Sequence, residues 1–240
     1  TVEDLASDGT VTIRQKVEAT RLLEADAMAR SVFGDLLTKL SGTTFRLTLS
    51  PQMKVIALDA AEDAFPIATG GNPMSGQPLM MASLIDRDGW RELNQLTFFQ
   101  PNQTLKANDR WQQPLTHSWG PLGSWKGQAD YCFQGENDGL AQVVYELKLA
   151  HQPPAPGARA RAGGKLPFQP TDAKFQTEKA GGMILFDRRR GRVERAAETF
   201  HVRGSMAIEV FGQKASIGVV EQQDFQLRIY ENRLGRSSHE

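Results

Sequence analysis

The stretch that decides the fold runs from Asn108 to Ala150. It opens Asn108-Asp-Arg-Trp-Gln-Gln-Pro-Leu-Thr-His-Ser-Trp-Gly-Pro-Leu-Gly-Ser-Trp125 and carries three of the four tryptophans of the chain. Two Pro/Gly punctuators, at Pro114 and at Gly120-Pro121, fix the path between Trp111, Trp119 and Trp125. Beyond Trp125 lies the clearest alternation in the sequence. Ala129, Tyr131 and Phe133 alternate with Gln128, Asp130, Cys132 and Gln134; after Gly135-Glu-Asn-Asp-Gly139, Val143, Tyr145, Leu147 and Leu149 alternate with Gln142, Glu146 and Lys148. A period of two on both sides of a Gly/Asn/Asp turn is the signature of a β-hairpin with one buried face.

Working outward, the same logic gives strands on either side. Asp8-Gly9 opens an alternating strand over residues 10–23, with Val11, Ile13, Val17 and Ala19 on one face. Between Asp26 and Leu40 the period changes: Met28, Val32, Leu36 and Leu40 recur every four residues, which predicts a helix stopped by Ser41-Gly42. Phe45, Leu47 and Leu49, a turn at Ser50-Pro51-Gln52, and a return from Met53 to Leu58 predict another hairpin. Residues 59–81, centred on Gly70-Gly71-Asn72-Pro73, read as an irregular connection. A short helix is expected from Ile85 to Leu96, with Trp90 and Leu93 on one face. C-terminal to the central hairpin, residues 151–180 are rich in Pro, Gly and Arg and read as a mobile loop. Two further hairpins are expected, 183–202 turning at Arg188-Arg-Arg-Gly191, and 206–230, whose last strand is long enough to call for a bulge. In that strand Ile217, Val219, Phe225, Leu227 and Ile229 share one face, interrupted by Glu221 and Gln223.

The fold class expected is α+β, dominated by antiparallel strands in curved sheets or half-barrels with a few short helices. The division expected is an N-terminal β-rich half at 1–105 and a C-terminal half at 106–240, or one continuous domain. An internal echo suggests duplication. Asp8-Gly9 and Asp138-Gly139 both open alternating strands; Gly42-Thr-Thr-Phe-Arg-Leu with Lys54-Val55 resembles Gly182-Met-Ile-Leu-Phe with Arg192-Val193, each pair about 130 to 140 residues apart.

Composition narrows the function classes. With 28 basic and 28 acidic side chains in 240 residues, no global field favours nucleic acid, and the basic runs lack interleaved aromatics. No apolar run approaches the roughly 18 residues of a membrane span. The start at Thr1 fits a processed N-terminus and equally well a shortened chain, and membrane proximity is expected through a removed or absent anchor. A single cysteine, Cys132, excludes an internal disulfide and a cysteine-based zinc cluster.

No catalytic set, metal site or cofactor fingerprint is legible. The four histidines, His117, His151, His201 and His239, are scattered without metal-ligand spacing. His117 beside Ser118 is a strand-end pair, since a nucleophile–base couple is defined in space and not by adjacency. The glycine pairs at 70–71, 163–164 and 181–182 lack the Lys-Ser/Thr ending of a phosphate loop. Asp8, Asp138 and Asp187 are turn carboxylates, and Glu194 and Glu198 are expected on a solvated face opposite Val193 and Ala197. Trp111, Trp119, Trp125 and Tyr131 are the candidate ligand- or partner-binding residues; capping the open end of a sheet is their competing role.

The C-terminal half carries a resemblance. Asn108-Asp109-Arg110-Trp111, Gly123-Ser124-Trp125 leading into Tyr131, residues 182–187 with Gly191-Arg192-Val193-Glu194, and Glu221-Gln222-Gln223-Asp224-Phe225 resemble a domain of unknown function. That domain occurs in bacterial proteins exported behind signal peptides or lipoprotein anchors. The resemblance implies a β-rich periplasmic, cell-envelope or secreted protein with no catalytic residues to carry over. The function expected is therefore non-catalytic binding or carriage of an apolar small molecule or an envelope protein. The alternatives are a structural or assembly component of an envelope complex, and a hydrolase whose site gathers distant residues such as His117, Cys132 and Asp187.

Overall fold

The computed structural model describes residues 1–24, 27–60, 87–101, 105–119, 122–153, 169–210 and 213–230. The fold is mostly antiparallel β, in two sheets that do not close. The first sheet has four strands in sequence order, β1 (Val2–Leu5), β2 (Val11–Lys16), β3 (Thr44–Leu49) and β4 (Val55–Ala60). Helix α1 (Ala27–Leu40) connects β2 to β3 and ends at Gly42, whose φ of +85° suits a residue without Cβ. Alternation puts Phe45, Leu47 and Leu49 of β3 on one face, all fully buried, with Leu40, Val55 and Leu58 around them. The strand expected over 10–23 is shorter, ending at Lys16, although Val17 still packs on this core. The irregular connection expected at 59–81 lies outside the described residues from position 61 on.

Helix α2 (Arg87–Thr97) comes next, and then a six-stranded meander: β5 (Arg110–Ser118), β6 (Ser124–Asn137), β7 (Leu140–Gln152), β8 (Gln169–Asp187), β9 (Arg192–Val210) and β10 (Gln213–Arg228). The central hairpin is β6–β7, with Ala129, Phe133, Val143, Tyr145 and Leu147 buried on one face.

The strand pairing corrects three expectations. Of the loop expected at 151–180, residues 151–152 complete β7, residues 154–168 lie outside the described residues, and residues 169–180 are strand: they form most of β8, paired to β9 from Gln169 onward. Their Pro- and Gly-rich approach hides an alternation in which Ala173, Phe175 and Thr177 are less exposed than Lys174, Gln176 and Glu178. Positions 203–205, expected to separate two hairpins, lie within continuous β9. Gly204 is there for space, since a Cβ would lie 2.2 Å from the Lys174 carbonyl and 2.5 Å from Phe175 Cδ1. Finally, β10 pairs with β9 without a register shift from Gln213 to Arg228; the bulges sit instead in the β8–β9 ladder.

One of those bulges reverses a face. The β8–β9 register slips where Leu185 pairs with Arg195 and Phe186 with Val193, leaving Glu194 as the extra residue. One inserted residue exchanges the faces of everything beyond it. Val193 and Ala196 therefore point the same way, and Glu198, Phe200 and Val202 continue inward after them. The solvated face expected for Glu198 is overturned for this reason.

The large sheet also forks. Strand β7 pairs with β8 only from Leu140 to Glu146; beyond that β7 continues with β6, and β8 with β9. The space between the arms is filled by Trp119, Leu122, Trp125, Phe200, Val202 and Met206. Gly181 marks the fork: at φ +153° its missing Cβ lets the Tyr145 carbonyl approach to 2.3 Å of where that atom would stand.

Candidate functional site

Two features of the large sheet's inner face have the chemistry of a site, and α2 borders both. The first is a cluster of ionisable side chains. Trp111, Tyr131, Tyr145, Gly182, Glu198 and Phe225 are successive cross-strand partners from β5 to β10, so they form one row across the sheet. In this row Tyr145 Oη donates a 2.6 Å hydrogen bond to Glu198 Oε2. The phenol must pass over Gly182 to do so, and a Cβ there would lie 2.6 Å from that oxygen. Burial drives the Glu198 carboxyl above its ordinary range, Glu92 adds to this, and the Tyr145 bond and His117 oppose it. Tyr145 is raised by burial first and then by Glu198, and burial with Glu198 pushes Tyr131 up to about 12.

His117, six residues further along β5 than Trp111 and paired with Trp125, meets the same group. Its Nδ1 is paired with Glu92 Oε2 of α2, and its ring packs against Phe200 at 5.1 Å. Burial pushes this imidazole down, but Glu92, Glu198 and Glu221 together hold it above the usual histidine value. Its buried Nε2 has no hydrogen-bond partner among the described residues. Glu221 of β10 accepts from Trp119 Nε1 at 3.2 Å and from Gln223, and burial raises its carboxyl. The arrangement is one protonatable imidazole facing three carboxyl groups, stabilised by charge attraction and enclosed by aromatics.

The expected aromatic residues divide into two groups. Trp119 and Trp125 are fully buried and make edge contacts with His151, with Phe175 against Trp119 and Phe200 against Trp125. They pack the fork of the sheet and expose no surface. Trp111 stacks on Tyr131 at 5.1 Å with 8° between planes, and Tyr131 stacks on Phe99 at 5.6 Å.

Phe99 leads to the second feature, a cleft of about 830 Å³. One wall is α2 and the residues after it, through Trp90, Leu93, Phe98 and Phe99; the opposite wall is the end of β10, through Leu227 and Ile229. The four-stranded sheet closes one side with Met53 and Lys16, and Trp90 is held there by a 4.7 Å stack on Phe45 and a 3.1 Å hydrogen bond to Gln15. The face shared by Trp90 and Leu93 is thus the cleft-facing one.

The three residues of the dispersed-hydrolase reading have separate surroundings. Cys132 faces the other side of β6, where Gln134 Nε2 lies 3.3 Å from its sulfur. His117 pairs with Trp125, seven residues back along β6 (125 to 132), so roughly 23 Å of strand separates the two positions at about 3.3 Å per residue. Asp187 is a turn carboxylate, accepting from the Arg189 and Arg190 main-chain N–H groups at 2.8 and 3.0 Å. Among the described residues no group of three or more His, Cys, Asp or Glu is arranged to hold a metal ion, and no helix is long and apolar enough to cross a membrane.

The sequence alone does not single out Glu92, Tyr145, Glu198 and Glu221 as a group. Glu221 left a signal, a carboxylate on the apolar parity of β10; Glu198 left none, because the bulge at Glu194 reverses its face. Compared with known protein families, with curated proteins and with solved structures, the chain matches none.

Proposed function

We propose that the protein is a non-catalytic binding protein for an apolar ligand, working in the periplasm, the cell envelope or outside the cell. The cleft between α2, the small sheet and the end of β10 is the observation that carries this reading. Its volume of about 830 Å³ falls in the range of small-molecule sites, and aromatic and aliphatic side chains dominate its walls. The candidate aromatics join it indirectly: Phe99 is a wall residue, and Tyr131 and Trp111 stack behind it. The resemblance to exported bacterial proteins supports the location.

The test is a titration with the neutral apolar dye N-phenyl-1-naphthylamine, read by dye emission and by quenching of Trp90. Binding is expected for the wild type and loss of at least tenfold in affinity for Leu93→Asp, with circular dichroism unchanged. Absence of saturable binding by the folded wild type refutes the reading.

A second reading, an assembly component of an envelope complex, is favoured by one observation. Strand β10 is a 16-residue sheet edge, with Val220 69% exposed on it. Free edges of this length pair with added strands. Light scattering after size exclusion separates the two, since a monomer at high concentration counts against assembly through this edge.

A further inference from the structure

The cleft has a charged rim as well as apolar walls, and this bears on the ligand's class. Lys16 ends β2 and Arg228 ends β10; both line the cleft, both are exposed, and neither makes an ion pair among the described residues. Arg192, also on the lining, is bound to Glu194 at 2.8 Å, so its charge is largely committed. Among the described residues Glu18 supplies the one carboxylate on the lining. Below this rim the surface is Trp90, Leu93, Phe99 and Ile229. Two uncommitted cations above an apolar floor complement a molecule with an anionic head and an apolar body. A neutral ligand would leave that charge unused, and a cationic one would meet repulsion from both side chains.

We propose that the ligand is a single-chain amphiphile with a carboxylate head, a long-chain fatty acid, its tail along the α2 wall and its head between Lys16 and Arg228. This rests on the cleft being the binding site. The tail supplies most of the affinity, because each buried methylene tightens binding about fourfold. The head supplies selectivity. Two exposed charge pairs are worth about tenfold together at low salt, and that margin shrinks as salt screens them.

The experiment uses the full chain and three probes of equal tail length, laurate, dodecanol and dodecyltrimethylammonium, each below its micellar concentration and each displacing the naphthylamine dye. Laurate is expected to bind about tenfold tighter than dodecanol, and the cation weakest. Myristate is expected to bind more tightly than laurate, and half-molar sodium chloride to close the gap to dodecanol. Lys16→Glu/Arg228→Glu is expected to lower laurate affinity at least tenfold and leave dodecanol unchanged. Lys16→Gln/Arg228→Gln serves as the milder pair should charge reversal perturb folding. Equal binding of laurate and dodecanol, or no effect of either double variant, overturns the anionic assignment while leaving an apolar site standing. Binding to anionic phospholipid vesicles without binding of free laurate overturns the single-chain assignment. Failure of all three probes and of the dye overturns the binding reading itself.

Discussion

Replacing Gly182 with alanine tests whether the inner row of the large sheet is built as described. The new Cβ would stand 2.2 Å from the Ala197 carbonyl oxygen, 2.6 Å from Tyr145 Oη and 2.8 Å from Tyr145 Cζ. The first contact is with main chain on a paired strand and has no rotamer to relieve it. The second displaces the phenol and with it the 2.6 Å bond to Glu198. Overpacking of this kind costs about 1–3 kcal/mol. Loss of a hydrogen bond to a charged or buried acceptor costs about 1.5–3 kcal/mol more, against a gain of up to about 1 kcal/mol from removing a strand glycine. The net expectation is a loss of about 2–5 kcal/mol, which for a chain of this size lowers Tm by roughly 5–15 °C. Urea unfolding monitored by tryptophan fluorescence and circular dichroism measures it, and Tyr145→Phe supplies the control. Tyr145→Phe alone forfeits the hydrogen bond, about 1.5–3 kcal/mol, but in the Gly182→Ala background the bond is already gone, so the two losses should fall short of additive by at least about 1 kcal/mol. A Gly182→Ala protein within about 1 kcal/mol of wild type, or strict additivity, refutes the geometry.

Stability should decline from mildly acidic to alkaline pH, for two reasons of the same sign. Glu198 and Glu221 hold their protons more tightly when folded, so stability begins to fall as pH passes the ordinary glutamate value of about 4.3 and continues to their raised folded values. His117 is also raised, so its contribution is complete below about 6.5 and is lost as pH climbs through its folded value. Thermal melts from pH 4.5 to 9 should show this, with Glu198→Gln flattening the lower part and His117→Gln the upper part; a Tm that rises across the interval contradicts both. Gly204→Ala, which meets the Lys174 carbonyl at 2.2 Å and Phe175 at 2.5 Å, should cost about 1–3 kcal/mol in the same urea assay. Cys132→Ser, on the outer face of β6, should change stability by less than about 1 kcal/mol and leave dye binding intact; loss of binding would move the site to that face.

How much of the fold was legible depends on whether a side chain's face can be counted from its own strand. Phe45, Leu47 and Leu49 alternate without interruption and are all buried, as are Val143, Tyr145 and Leu147. Trp90 and Leu93, three residues apart on α2, share the cleft wall as helical spacing requires. Counting fails where a neighbouring strand sets the register. Glu194 is extra only relative to Leu185 and Phe186 of β8, and nothing within β9 announces it, yet it decides that Glu198 points inward. Gly204 resembles a turn signal in Arg-Gly-Ser, but its reason lies on another strand, in the approach of Phe175.

The same distinction explains why the ionisable cluster escapes a linear reading and the cleft does so only in part. Glu92, His117, Tyr145, Glu198 and Glu221 come one each from α2, β5, β7, β9 and β10, so no sequence window holds two of them at a meaningful spacing. Each has an ordinary local explanation: a helix-surface carboxylate, a strand-end histidine, a core tyrosine, two solvated glutamates. What turns them into one group is the fork at Gly181–Gly182, which lets the arms of the sheet face each other, and α2, which lies against both β5 and β9. Lys16 and Arg228 obey the same rule from the outside, since each ends its own strand in solvent and what they share is the lining of one cleft. A single-residue pattern therefore identifies the walls of this protein, while its charged groups acquire meaning from the elements that face them.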